Sequence, residues 1–317
     1  MAKTARGRLT WIILPAAGVV VLVVIALCVV PLVRHRSQNV SQGNRWAGLL
    51  KDHPSFSAQP AEVTFSYAAP EDENLQKLRV TYDLDRVAGG GPEIERLINL
   101  ARWVYHLTGH ANEPTIPEQL NASSLIPLAR DGQITMNCYM KTIVLNEVYL
   151  AMGFESRQTH LLPAEQEDEE SHFVTSVYSR TLRRWLLMDP DLGAYVTDRQ
   201  GSPLGVAEIR RGLVAGRPLV VLSLDPPPSF LVQAWSDVRD YIDGTSYLWY
   251  LGKNIFKVRC AQDSQFDQVA RPHRLMYELM PGGYREELLR APRITASGNK
   301  IVFITDEAGF WQKPDGG

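Results

Sequence analysis

The sequence predicts an α+β domain behind an N-terminal transmembrane helix. Three observations carry this. An uncharged run from Trp11 to Val33 lies near the N-terminus. Beyond it, helical patterns come before a group of strands instead of alternating with them, which argues against a doubly wound sheet. The strands themselves, His172 to Tyr178 and Arg183 to Asp189, flank a polar turn, Ser179-Arg180-Thr181-Leu182, in the manner of an antiparallel hairpin.

The uncharged run is long enough to cross a bilayer as a helix, since ~20 residues at ~1.5 Å each span the hydrocarbon core. A secretory signal is the competing reading, because Lys3, Arg6 and Arg8 form a basic start. Its apolar stretch would be only about 7–15 residues and would end in a small-x-small site, which this run lacks. The segment therefore reads as a single-pass anchor. Lys3, Arg6 and Arg8 before it, against Arg34 and Arg36 after it, tip the orientation toward an extracytoplasmic C-terminal part.

The chain as a whole has an ordinary globular composition, with 45% hydrophobic and 21% charged residues. A net charge of −2 gives no global pull toward nucleic acid or anionic lipid. The organisation reads as a basic tail over 1–10, the anchor over 11–33, and a proline-punctuated linker over 34–70. A folded domain over 71–225 follows, and then a C-terminal extension of mixed structure over 226–317, beginning at Pro226-Pro227-Pro228.

Within the domain, Leu78 to Tyr82 has strand character. Pro92 opens a helix whose apolar face is Ile94, Leu97, Ile98, Ala101, Val104 and Leu107. A second helix covers Ala122 to Arg130. Asn137 then caps a strong helix from Cys138 to Met152, and Gly153 stops it. Phe154 to Leu162 reads as a strand, Glu165 to Glu170 as an acidic solvated loop, Ser202 to Gly216 as a short helix, and Ile301 to Thr305 as a late strand. The aromatics Trp235, Tyr241, Tyr247, Trp249 and Tyr250 suit core packing more than a binding surface.

The chemistry concentrates at three positions. Cys138 falls in the first turn of its helix, where the dipole and free N–H groups favour thiolate over thiol. If Tyr178 faces Arg183, His172 faces Asp189, so a carboxylate would fix the imidazole tautomer and stabilise its charge. A turn shorter by two residues would set Asp189 opposite Val174, still diagonal to His172, whereas an odd change of register would put the two on opposite faces. Two rival readings stay open: Cys138 and Cys260 as a disulfide, and His172 with Asp189 as a plain surface pair. No metal-ligand spacing occurs, and Gly109 separates His106 from His110.

Asn137-Cys138, Gly153-Phe154-Glu155-Ser156-Arg157, His172 and Trp185-Leu186-Leu187-Met188-Asp189-Pro190, in that order, resemble the transglutaminase-like superfamily. The resemblance covers roughly residues 94 to 215. It departs from many members after the histidine, where this chain has Phe173-Val174-Thr175. It implies a papain-like core, with the cysteine heading a helix packed on an antiparallel sheet, and a catalytic triad of Cys138, His172 and Asp189. The implied activity is thiol-dependent hydrolysis or acyl transfer at an amide of a protein or peptide substrate, without cofactor, metal or nucleic acid. The Cys138 backbone N–H and the Gln133 side chain are the oxyanion candidates. Arg157 is read as structural. The alternative function is a non-catalytic envelope interaction module that keeps the fold; the oligomeric state stays unassigned.

Overall fold

The computed structural model describes residues 46, 48–56, 61–165, 168, 170–225 and 246–314. The basic tail, the anchor expected over 11–33, the linker residues 34–45, 47 and 57–60, and the Pro226–Pro228 break lie outside the described residues. Among the described residues, no helix is long and apolar enough to cross a membrane.

The fold is mixed α+β. A helical stretch over 48–52 and the short strand β1 (Ser66–Tyr67) precede five helices: α1 (Glu73–Thr81), α2 (Leu84–Ala88), α3 (Glu93–Tyr105), α4 (Ala122–Arg130) and α5 (Cys138–Ala151). The strand character of Leu78 to Tyr82 is overridden, since those residues end α1. The Asp72 side chain caps that helix by accepting from the Asn74 and Leu75 N–H groups, and Leu75 and Leu78, three apart, are both buried. Packing of that stripe outweighs the β preference of Val80 and Thr81, as tertiary context commonly does.

α5 is buried on every side from Met140 to Ala151, as a helix apolar nearly all round should be. Its polar residues are each partnered. Asn146 donates to the Ser264 hydroxyl (2.9 Å), and Glu147 accepts from the Ala122 (2.7 Å) and Asp267 (2.9 Å) N–H groups. Burial pushes the Glu147 carboxyl up to about 8, against the opposing backbone hydrogen bonds.

Short strands β1 (Ser66–Tyr67) and β8 (Asp263–Ser264) pair in parallel, and β5 (Ala194–Thr197) pairs with β6 (Val220–Ser223). The main sheet has seven strands in the order β10-β11-β9-β7-β2-β3-β4. These are β2 (Ser156–Leu162), β3 (His172–Ser179), β4 (Arg184–Met188), β7 (Lys257–Ala261), β9 (Leu275–Leu279), β10 (Arg293–Ile294) and β11 (Lys300–Ile304). All neighbours are antiparallel except β11 and β9. The segment after 226, expected as an extension, thus contributes β7, β9, β10 and β11 to the same sheet as the hairpin. Without β7, β2 would present an unpaired edge.

Helices cover both faces. Val177, Leu186 and Met188 join the core under α1 to α5. Leu161, Val174, Leu187 and Val258 join a second core with Ile209 of α6 (Val206–Val214) and with Tyr247 and Leu251 of α7, which spans 246–254.

Candidate active site

The Asn137 side chain accepts from the Met140 N–H (3.1 Å), which fixes Cys138 as the first residue of α5. The turn is tied to the sheet: Gln158 Nε2 donates to the Tyr139 carbonyl and to Thr142 Oγ1, each at 3.0 Å. Cys138 is half-buried and its thiol is free, as is that of Cys260. Cys260 instead sits in the core between sheet and helices, its sulfur 3.6 Å from Thr159 Oγ1, and burial pushes its pKa up to about 11.

The hairpin register differs by one pair from a direct His172–Asp189 opposition. Ser179 faces Arg184 and Thr175 faces Met188, so Asp189 falls diagonal to His172. The cause is the turn. Arg183 takes a left-handed conformation (φ 54°) and belongs to the turn, while Ser179 Oγ accepts from the Leu182 N–H and belongs to the strand. A shift of one residue on each strand preserves the face, so the pair still meets. His172 Nε2 lies 2.6 Å from Asp189 Oδ2, with both side chains at 2% exposure or less.

Asp189 is held from three directions. Its Oδ1 accepts from the Asp191 (3.0 Å) and Leu192 (2.9 Å) N–H groups, and its Oδ2 accepts from Tyr247 Oη (3.0 Å). Burial works against its charge, but the His172 charge and hydrogen bond, with the Leu192 and Asp191 N–H groups, hold the carboxyl below its usual range. For His172, burial disfavours the imidazolium. The charge and hydrogen bond of Asp189, with hydrogen bonding and charge from the neighbouring Cys138 side chain, outweigh it and raise the pKa to about 10.

Two further groups surround this centre. Tyr250 packs its ring edge against His172 (centroids 5.0 Å apart) and donates from Oη to the Ser171 carbonyl (3.3 Å). Lys141, one turn along α5 from Cys138, makes an ion pair with Asp191 (3.3 Å), both side chains at 1% exposure, and Asp191 also meets His110 Nδ1 (2.8 Å). The spacing of Tyr247 and Tyr250, three apart on one helix, was the visible signal for that pair, but core packing absorbed it. Nothing local marked Lys141 as a buried ion-pair partner.

Gln133 stands exposed in the turn after α4, its backbone N–H on the Leu128 carbonyl. No hydrogen bond among the described residues joins it to Cys138. Arg157 is 2% exposed, donates to Tyr67 Oη and the Phe310 carbonyl (each 2.7 Å), and stacks on Phe65 and Trp185. The acidic loop is tethered as well as solvated, since Lys253 Nζ lies 2.9 Å from Asp168 and 2.5 Å from Glu170.

No family model matches this chain, and no curated protein matches it. Two solved structures share part of its outline. A candidate cysteine protease from Cytophaga hutchinsonii aligns at a TM-score of 0.31 and 14% identity, over 52% of this chain and 55% of that one. Legionella pneumophila LapG aligns at a TM-score of 0.28 and 15% identity, over 56% of this chain and 98% of that one.

Proposed function

We propose that this protein is a cysteine-dependent amide or peptide hydrolase or acyltransferase of transglutaminase-like type, with Cys138 as nucleophile, His172 as acid–base and Asp189 as its orienting carboxylate. The observation that carries the reading is the buried 2.6 Å contact between His172 Nε2 and Asp189 beside Cys138. With Nε2 committed to the carboxylate, Nδ1 is the nitrogen left to serve the thiol.

In the proposed reaction, Cys138 Sγ attacks the carbonyl carbon and a C–S bond forms. The oxyanion is met by the Cys138 backbone N–H at the head of α5. Collapse breaks the C–N bond while His172 Nδ1–H passes its proton to the departing amine, leaving a thioester. Water, or an acceptor amine, then gives a proton to Nδ1, bonds to the acyl carbon and releases the thiolate. The run over 11–33 supports placing this chemistry at a membrane, on its extracytoplasmic side.

Incubation of the protein with p-nitrophenyl acetate, acid quench and peptide mass spectrometry test the reading. An acetyl thioester on Cys138, absent in His172→Ala, is expected. Acetylation confined to surface lysines contradicts it.

A further inference from the structure

The sheet face beside Cys138 is only partly covered by α5, which packs on β2 and β3. Strand pairing sets the residues of that face in rows. Phe173 faces His160, His160 faces Arg259, and Arg259 faces Glu278. Opposed residues share a face, so Lys257, two residues from Arg259, lies there too. Arg293 opposes Ile301, which opposes Met276, and this extends the same face to the far edge. Arg274, two residues before Met276, has the same parity. Lys257, Arg259 and Arg274 are half-buried, and Arg293 is exposed.

This face joins the proposed site through aromatic contacts. Tyr139, next to Cys138, packs on Phe173 (centroids 5.0 Å apart), and Phe173 stacks on His160 at 3.9 Å, while His172, opposite the second-core residue Leu161, lies on the other face. Four cations thus share the sheet face on which Tyr139 packs. The acids around them are Glu278, which is bonded to Arg259, Asp263 near Arg274, and Glu286 and Glu287 of the segment 286–290, whose Leu288 packs with Met276 and Ile301 over the far edge.

The crowding is felt by the groups themselves. Burial lowers the pKa of Lys257, Glu278 opposes this, and Arg259, Arg285 and Arg293 lower it further. His160 is driven down to about 3 by burial and by Arg259, His172 and Lys257, so it adds no charge of its own.

We infer that the face carrying Lys257, Arg259, Arg274 and Arg293 is the substrate-side surface of the site and selects acidic peptides. This inference rests on Cys138 being the nucleophile. Carboxylates of a bound peptide would add counter-charges to this surface, and Arg274, whose Nε has no hydrogen-bond partner among the described residues, offers a planar donor fork suited to them.

The test uses the full chain and three peptidyl vinyl sulfones of one length, carrying Glu, Gln or Lys beside the warhead. The rate of Cys138 modification is followed by mass spectrometry, with iodoacetamide as the uncharged reference. The Glu probe is expected to react about fivefold faster than the Lys probe at low salt, with the ratio falling toward unity at ~0.5 M salt, as screening requires. The ratio should shrink in Lys257→Gln and in Arg293→Gln, the latter exposed and remote from the core. Equal rates, or a faster Lys probe, with iodoacetamide still labelling Cys138, overturn the acidic preference alone. A Cys138 inert to iodoacetamide overturns the nucleophile reading and this inference with it.

Discussion

His172 meets Asp189 through Nε2 and has the Cys138 side chain as a neighbour, so its charge is set by two groups in a dry site. Asp189→Asn should preserve the packing but lower turnover by about 10²–10⁴-fold, because the imidazolium loses its counter-charge. Tyr247→Phe removes one of four contacts on that carboxylate and should lower kcat by only ~3–10-fold with KM unchanged. The pH dependence of stability has a definite sign. The His172 pKa is raised, so its contribution is complete below the ordinary imidazole value of ~6.5 and is lost as pH rises toward about 10. The thermal-stability advantage of the native protein over His172→Asn should therefore narrow across that window. Glu147, also raised, has the same sign: its contribution fades as pH climbs from ~4.5 to about 8. Glu147→Gln should flatten that slope in a Tm-against-pH series. An unchanged slope would place the titration elsewhere.

At the scale of elements, the helix that begins at Cys138 and the hairpin that carries His172 come together through caps and turns. Asn137→Ala should cost about 1 kcal/mol in denaturant unfolding, the usual worth of a side-chain cap, and loosen the turn that holds the thiol. Arg183→Gly should stabilise by about 0.5–1 kcal/mol, because φ 54° is strained for any residue with a Cβ. These are also the features that were legible in the sequence. Asn137 before an apolar run, Gly153 after it, and alternation on either side of Ser179 to Leu182 are local signals, and each reports a local cause. The hairpin register was only half legible, because pattern alone does not say whether Ser179 or Arg183 belongs to the turn. The strand character of Leu78 to Tyr82 misled because burial of Leu75 and Leu78 against α5 is a tertiary fact.

At the scale of the molecule, the pairing of β7 with β2 brings together residues about a hundred positions apart, and no local pattern announces it. This is why the C-terminal third read as an extension, while it supplies four of seven strands and the tyrosines over Asp189 and His172. Ending the chain at 225 should abolish cooperative unfolding, since β2 loses its neighbour and the second core loses Leu251, Ile255, Phe256 and Val258. The Lys141–Asp191 pair is also long-range, joining the helix of Cys138 to the loop after Asp189. Removing one partner leaves a buried charge, so Lys141→Met should cost several kcal/mol, about 3–5 by analogy with other buried pairs.

The central claim is that Cys138 and His172 act as one unit, and alkylation tests it most directly. The full chain is treated with iodoacetamide at neutral pH, beside His172→Ala, and labelling at each cysteine is timed by peptide mass spectrometry. Rapid labelling of Cys138 is expected, with none at the buried Cys260 in the folded protein and at least about tenfold slower labelling of Cys138 in the variant. A Cys138 that labels slowly, and equally slowly without His172, would contradict it.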